Sequence, residues 1–343
     1  MTRNGIIALV ISIIIGIVIG LSVFMFSRSG LLSPVGNIKP TPTVKPLEKY
    51  SFENLQKRIF TPGDITIDKV INDAADFTSY LFYYDSDGKK VSGLLILPKK
   101  EGRFPVILQL RGYIDQEKYT TGMGTIRSGE VFAQNGFITL APDFLGYGQS
   151  ASPSADAMES RLENYTAALN LLSSITNLNQ SLKNNKIDNI EAETDKIGLW
   201  GHSNGGHITL SVLAITGKDY PAVLWNPVSK PFPYSILYYT DELADNGKFI
   251  RDMLSNFEKD YDIELYNPVN YYKNITAPIQ LHQAVDDEAV PVKWSNQLYQ
   301  SLKNQKTDIS YFTYPGDNHD FNQGSWSKVV ERNIAFYKEL LAK

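Results

Sequence analysis

From about residue 77 to its end, the chain alternates short apolar segments with longer segments of helical periodicity. Short apolar runs bounded by turn residues are typical of buried strands, and strands that alternate with helices form a mostly parallel sheet covered on both faces. The fold class is therefore predicted to be α/β. Residues 77–84 and 90–97 form a predicted hairpin. The later predicted strands are residues 104–110, 137–141, 196–200, 222–225, 278–282 and 309–314, and the predicted helices are residues 126–135, 156–176, 204–216, 292–303 and 325–341.

One segment, residues 230–262, interrupts this alternation. It lies between two predicted strands and looks helical, with tyrosine, leucine and phenylalanine spaced among acidic residues. It is interpreted either as an elaborated crossover or as a small lid over a substrate cleft, which is where such insertions act in enzymes. Both interpretations stand at this point.

The N-terminal 50 residues differ from the rest in composition. Residues 6–26 are almost wholly apolar, and as a helix they would rise roughly 31 Å, about the thickness of the hydrocarbon core of a bilayer. The run is longer than the apolar part of most signal peptides, which are the alternative. Residues 1–27 are therefore predicted to be an uncleaved transmembrane anchor. Residues 28–50 contain four prolines and favour an extended linker, and residues 51–343 form the folded body.

The orientation of this anchor follows only from its layout. Basic residues flank the apolar run on both sides, so the positive-inside rule does not choose between the two topologies. A very short N-terminal tail before a long apolar run is the usual arrangement of exported proteins, and the body is therefore expected outside the cytoplasm. Gly16 and Gly20 form a G-x-x-x-G pattern that can pair membrane helices. The oligomeric state is left open.

Composition excludes several classes of function. The chain has 343 residues, no cysteine and a net charge of −4. Residues 1–50 hold five basic residues and one acidic residue, a net +4, which leaves −8 for the body. An acidic body argues against a nucleic-acid partner. The lack of cysteine excludes a disulfide framework, a cysteine nucleophile and cysteine-ligated metal sites.

Residues 201–206, Gly-His-Ser-Asn-Gly-Gly, contain a G-x-S-x-G pattern between a predicted strand and a predicted helix. In that setting a serine sits on a sharp turn and projects its hydroxyl from the edge of the sheet, and glycines are needed because side chains would collide with the neighbouring elements. Ser203 is therefore the candidate nucleophile. A serine hydroxyl needs a base to become nucleophilic.

The chain offers only four histidines as that base. His202 is too close in sequence to turn back on Ser203, His207 lies in the following helix, and His282 lies in a predicted strand. In this arrangement the partners follow in the order serine, acid, histidine. His319 alone lies beyond the last predicted strand, in a loop rich in turn-forming residues, and it is the candidate base.

The acid must lie between the serine and the histidine, directly after a strand. Asp286, Asp287 and Glu288 follow the strand that begins at residue 278. We select Asp287, which has Val290 and Pro291 at D-x-x-V-P spacing, and keep Asp286 as the alternative.

Two backbone N–H groups are expected to bind the oxyanion. One belongs to Asn204, the residue after the nucleophile, at the start of a helix whose dipole favours negative charge. The other comes from the loop after an early strand, where Gly112 allows close approach and Tyr113 supplies the N–H.

Taken together, these segments resemble the prolyl oligopeptidase-like serine peptidases, a group of α/β-hydrolases, over roughly residues 75–343. The resemblance implies that Ser203 is the nucleophile, Asp287 the orienting acid and His319 the base, and that Tyr113 contributes to the oxyanion hole. This sequence departs from the pattern of the group at Arg111, where the group often has histidine. The segments that carry it are residues 108–113, 141–150, 201–206, 266–268, 281–282, 287–291 and 316–319.

The predicted function is that of a membrane-anchored serine hydrolase, and the resemblance favours a peptidase. Residues 50–75 are too few for the β-propeller that gates peptides in larger members, so peptide specificity does not follow, and an esterase with the same triad is the alternative. A catalytically silent, tethered binding module is the third reading. The expected partners are a peptide or ester substrate and the membrane. No metal or organic cofactor is expected.

Overall fold

A nine-stranded sheet forms the centre of the fold. The computed structural model describes residues 45–241 and 243–341. In chain order the strands are β1 (Thr66–Asp73), β2 (Phe77–Ser86), β3 (Lys89–Pro98), β4 (Gly102–Leu110), β5 (Ile138–Pro142), β6 (Ile190–His202), β7 (Ala222–Trp225), β8 (Ile279–Ala284) and β9 (Ile309–Tyr314). Across the sheet they lie in the order β1-β2-β3-β5-β4-β6-β7-β8-β9.

Most of the sheet is parallel, as predicted. The strands from β5 across to β9 run parallel, whereas β1, β2 and β3 extend one edge in antiparallel pairing. The predicted hairpin joins β2 to β3 through Asp87 and Gly88, which have φ values of 55° and 81°. Two positive φ values in a two-residue turn match the right-handed twist of the flanking strands.

Helices cover both faces of the sheet. They are α1 (Phe52–Lys57), α2 (Ile126–Gln134), α3 (Ala157–Ser174), α4 (Leu178–Asn184), α5 (Asn204–Thr216), α6 (Tyr234–Leu237), α7 (Lys248–Asp260), α8 (Val292–Asn304) and α9 (Trp326–Leu341). Neighbouring residues of β4 point to opposite faces of the sheet and belong to different hydrophobic cores. Ile107 shares a core with Phe132 of α2 and Tyr337 of α9, and Leu108 shares the other with Leu210 of α5. This period of two is what a strand buried on both faces requires.

The folded body begins earlier than predicted. The linker was predicted to reach residue 50, but residues 46–50 form a short 3₁₀ helix in which Leu47 and Tyr50 are buried. The hydroxyl of Tyr266 donates to the carbonyl oxygen of Leu47 at 3.1 Å, and the N–H of Leu47 donates to Tyr261 Oη at 3.1 Å. Burial of these two apolar side chains, together with the two hydrogen bonds, holds the segment in place.

The segment 230–262 contains α6 and α7. Helix α7 buries Ile250, Leu254 and Phe257, which recur at helical spacing on one face. Phe249 and Ile250, at its start, line a cleft that also reaches Asn204 of α5. This position is compatible with the interpretation of residues 230–262 as a lid over a substrate cleft, and that interpretation stays a prediction.

Within residues 45–241 and 243–341, no helix combines the length and apolarity needed to cross a membrane. The predicted anchor (residues 1–27), most of the predicted linker and the glycine pair Gly16 and Gly20 lie outside the described residues.

Candidate active site

Ser203 occupies a sharp turn between β6 and α5. Strand β6 ends at His202 and α5 begins at Asn204. The backbone of Ser203 has φ 56° and ψ −121°, a conformation that residues with a side chain rarely adopt and that is kept only when its surroundings enforce it. Its N–H donates to the carbonyl oxygen of Trp225 at 2.9 Å, and its own carbonyl accepts the N–H of Gly206 at 3.0 Å. The G-x-S-x-G pattern therefore forms the strained strand-to-helix turn that it predicts.

The glycines of this turn permit contacts that no other residue would allow. A Cβ atom on Gly205 would lie 1.8 Å from the carbonyl oxygen of Leu110, at the end of β4. A Cβ atom on Gly201 would lie 2.3 Å from Oγ1 of Thr209. Close approach of β6, α5 and β4 thus depends on both glycines.

His319 and Asp287 meet above this edge of the sheet. The Nδ1 atom of His319 lies 2.8 Å from Oδ2 and 3.0 Å from Oδ1 of Asp287, whose side chain is fully buried. Because a carboxylate only accepts hydrogen bonds, this contact assigns the proton to Nδ1 and leaves Nε2 free to take another. The Asp287 carboxylate also accepts the N–H groups of Ala289 at 2.8 Å and Val290 at 2.7 Å, which fix its orientation.

The alternative acid has a different partner. Oδ2 of Asp286 accepts the N–H of Gly316 at 2.7 Å and so ties the acid loop to the loop that carries His319. Asp317, in the same loop as His319, accepts the N–H groups of Gln323 and Ser325 and so caps that loop. Of the two candidate acids, the structure brings Asp287 into contact with His319.

The position of His319 depends on Asn226 and His202, neither of which the sequence indicates as a partner of His319. Its carbonyl oxygen accepts the amide of Asn226 at 2.6 Å and Nε2 of His202 at 3.0 Å. The rings of His202 and His319 are 4.5 Å apart between centroids. Burial, followed by the charge that His319 carries when protonated, lowers the pKa of His202, so this ring is neutral at pH 7 and donates through Nε2. His202 therefore places His319 beside the Ser203 turn.

In the part of the chain that the structure describes, no hydrogen bond joins Ser203 Oγ to the His319 ring. Such contacts are often long in catalytic sites until the substrate binds. The other two histidines lie in the helix and the strand predicted for them, and both are buried and bonded. His207 Nε2 lies 2.9 Å from the Tyr165 hydroxyl, and His282 Nδ1 lies 2.8 Å from the Tyr314 hydroxyl.

The two predicted oxyanion donors line one cleft. The N–H of Asn204 begins α5, the N–H of Tyr113 follows β4, and neither has an acceptor among the described residues. A Cβ atom on Gly112 would lie 2.9 Å from Cβ of Ser203, so the loop passes directly beside the serine. The Tyr113 side chain is 75% exposed, which leaves its backbone N–H as the contributing group.

Arg111 holds this loop in place. Its Nη1 donates to the carbonyl oxygen of Gly112 at 2.9 Å, and its guanidinium lies 4.4 Å from the ring centre of Tyr119 and 4.1 Å from that of Tyr147. In a trans peptide the C=O and the following N–H point in opposite directions. The bond to Gly112 therefore turns the N–H of Tyr113 away from the guanidinium. The arginine that departs from the family pattern thus supports the loop by its own contacts.

Aromatic side chains from the segment 230–262 lie beside the acid loop. The Tyr239 hydroxyl donates to the carbonyl oxygen of Ala289 at 3.3 Å, and the rings of Tyr238 and Trp294 are 4.6 Å apart. Burial, followed by the charge of Asp287, raises the pKa of Tyr239. The spacing of tyrosines in this segment was visible in the sequence, but their position beside Asp287 was not.

The chain matches a known family of hydrolases. A family profile described as the prolyl oligopeptidase family (Peptidase_S9) matches residues 128–343. The chain is 26% identical over 264 residues to the uncharacterized peptidase YtmA of Bacillus subtilis, covering 76% of this chain and 93% of that protein. It is 27% identical over 139 residues to an acetylxylan esterase of Xylanibacter ruminicola, covering 40% of this chain and 28% of that one.

Solved structures share the fold. Acetyl xylan esterase 1 from a Thermoanaerobacterium species superposes with a TM-score of 0.57 at 16% identity, over 86% of this chain and 95% of that chain. The acylaminoacyl peptidase of Pyrococcus horikoshii superposes with a TM-score of 0.59 at 20% identity, over 79% of this chain and 43% of that chain. Together, the profile match and the mostly parallel sheet place this chain in the prolyl oligopeptidase family (Peptidase_S9), among serine hydrolases with the α/β-hydrolase fold.

Proposed function

We propose that the chain hydrolyses acyl bonds with Ser203 as nucleophile, His319 as base and Asp287 as orienting acid. The observation that carries this proposal is the contact between His319 Nδ1 and the fully buried Asp287 carboxylate, beside the strained turn of Ser203. Each member comes from the carboxyl end of a strand or from the loop that follows one, which is where α/β folds collect functional groups.

In the proposed reaction, Ser203 Oγ attacks the acyl carbon while its proton passes to Nε2 of His319. Asp287 stabilises the resulting imidazolium. The negative charge on the carbonyl oxygen is bound by the N–H groups of Asn204 and Tyr113. The intermediate collapses when His319 returns the proton to the leaving group, and water then releases the acyl group from Ser203 by the same steps.

For the bond cleaved, we propose a peptide amide. The family and the peptidase YtmA, most of whose length this chain aligns with, support this choice. An ester is the second candidate, because the acetyl xylan esterase fold matches over nearly all of that chain.

A substrate panel tests the choice between peptide and ester. Dipeptidyl and aminoacyl 4-nitroanilides would be compared with acetylated xylo-oligosaccharides and 4-nitrophenyl acetate, and kcat/KM measured for each. We expect turnover of at least one peptide anilide that the Ser203→Ala protein does not show. Turnover of acetylated sugar with no anilide cleavage would replace the peptidase assignment with the esterase one. No turnover of any member would count against the hydrolase proposal.

We further propose that residues 1–27 anchor the protein in a membrane, with the folded body outside the cytoplasm. The support is the length and apolarity of residues 6–26. Protease treatment of intact cells that produce the full chain is expected to remove the body from the anchor. Protection of the body in intact cells, with digestion only after lysis, would contradict this topology.

A further inference from the structure

The cleft beside the two oxyanion donors has an unusual charge pattern. Its lining includes Gly112, Tyr113 and Asn204, which lie near Ser203, and Phe249 at the start of α7. Helix α3 contributes Arg161 to its wall. The described residues that line the cleft include two arginines, Arg111 and Arg161, and no acidic residue. The chain as a whole has a net charge of −4. The charge of this cleft is therefore opposite in sign to that of the chain around it.

Only one of the two arginines is available to a ligand. Arg111 is 5% exposed, and its guanidinium is enclosed by Tyr119 and Tyr147 and donates to two backbone carbonyl groups. Arg161 remains reachable from solvent and makes no hydrogen bond or ion pair with another described residue. Its five N–H donors are therefore free to bind a group that enters the cleft.

The nearest acids along α3 have other partners. Oε1 of Glu159 lies 2.9 Å from Nζ of Lys49, and Glu163 forms an ion pair with Lys89. Residues two positions apart do not face each other on a helix, so neither acid lies beside Arg161. Desolvation by the surrounding protein lowers the pKa of Arg161, and the titratable groups that act on it are tyrosine hydroxyls rather than carboxylates. An arginine that is partly desolvated and unpaired in a cleft is a common mark of a binding site.

The place of the cleft indicates which part of a substrate enters it. In the proposed function, His319 gives its proton to the leaving group, so the leaving group lies against the His319 ring. Ser203, Asp287 and His319 do not line the cleft, whereas Tyr113 and Asn204 do. The cleft also reaches Gly112, where a Cβ atom would lie 2.9 Å from Cβ of Ser203, so it opens beside the serine on the side of the oxyanion donors. An acyl carbon held between Ser203 and these two N–H groups would therefore extend its acyl chain into the cleft.

We propose that Arg161 binds a carboxylate on the acyl part of the substrate. This inference rests on the proposed function for its direction, since it assumes that Ser203 attacks the acyl carbon. The planar guanidinium matches a carboxylate with two parallel hydrogen bonds, and such charged pairs are stronger than neutral ones. The site thus selects acidic acyl groups, such as an acidic residue on the amino side of a scissile peptide bond or a dicarboxylic half-ester.

The test compares two esters with acyl chains of equal length. The anionic ester is 4-nitrophenyl hydrogen adipate and the neutral one is 4-nitrophenyl hexanoate, each corrected for its uncatalysed hydrolysis. We expect wild type to favour the adipate ester, and the ratio of the two kcat/KM values to fall roughly ten-fold or more in Arg161→Gln. Arg161→Lys keeps the charge without the planar fork, so it should retain an intermediate ratio. Arg161→Glu should lower the ratio further by repulsion.

The matched control is Arg103→Gln. Arg103 is exposed, pairs with Glu191 at 3.5 Å, and lies at the start of β4, at the opposite end of that strand from the loop at Gly112. Its ratio should equal that of wild type. An equal ratio in wild type and Arg161→Gln, or the same fall in Arg103→Gln, would overturn the proposal.

A binding measurement separates this inference from the proposed function. Ser203→Ala protein would be titrated with each intact ester by calorimetry, so that no turnover is required. Tighter binding of the adipate ester, lost in the Ser203→Ala, Arg161→Gln double variant, supports the carboxylate site even if wild type hydrolyses neither ester. Equal binding of both esters contradicts it even if both are hydrolysed.

Discussion

Replacement of Asp287 with Asn is expected to lower kcat for 4-nitrophenyl hexanoate roughly 10⁴-fold with little change in the melting temperature. The carboxylate accepts the Nδ1 proton of His319, which keeps Nε2 free as the base. An amide nitrogen in its place can donate to Nδ1 and so favours the tautomer with the proton on Nε2, where it blocks proton transfer from Ser203. The loss should appear in kcat because it acts on the transition state.

Asp286→Asn is the matched control. It makes the same chemical change one residue earlier, and its side-chain oxygen can still accept the N–H of Gly316. We expect kcat within a few-fold of wild type. If the two variants lose equal activity, or if Asp286→Asn loses more, the assignment of the acid to Asp287 is wrong. Thermal unfolding of both proteins checks that neither effect comes from loss of the fold.

Much of the scaffold could be predicted because its sequence signals are local. The helix 204–216 and the strands 222–225 and 309–314 match the structure to the residue. The first two are strongly apolar and short, with turn residues at their ends. His319 could be found by elimination, because the chain has only four histidines and three of them lie within predicted elements or beside the serine.

Other elements lacked such signals. Strand β1 is exposed at every position but one. Its sequence therefore lacks the alternation of apolar and polar residues that marks a half-buried strand. It is held in the sheet by its pairing with β2. Leu47 and Tyr50 stand in a proline-rich context that favours a linker. Contacts with residues more than 100 positions away, such as Glu159 and Tyr266, show that the body starts there. Local composition does not report contacts of that range.

Within the site, the sequence supplied the residue types but not their directions. Asp286 and Asp287 are adjacent, and which of them faces His319 is decided by the turn in which Ala289 and Val290 donate to Asp287. The sequence does not indicate Arg161 as a site residue, because its proposed role depends on the absence of a paired acid beside it in the cleft. Both distinctions depend on the orientation of single side chains, which is set by the packing of elements far apart in the chain.

A fluorophosphonate probe would show whether Ser203 is an activated nucleophile. These probes form a covalent phosphonyl bond with a serine hydroxyl that has a base beside it, with release of fluoride. Reaction needs the same parts as catalysis: the Ser203 turn, the free Nε2 of His319 and the oxyanion donors. We expect one adduct per folded chain, located at Ser203 by peptide mass spectrometry.

The controls are two serine variants of the same region. Ser203→Ala should give no adduct. Ser211→Ala removes a buried serine of α5 whose hydroxyl is bonded to the carbonyl oxygen of His207, and it should label like wild type. We expect a single adduct on Ser203 that disappears in Ser203→Ala alone. If the folded wild-type protein takes no label, or if Ser203→Ala labels as well as wild type, Ser203 is not the activated nucleophile.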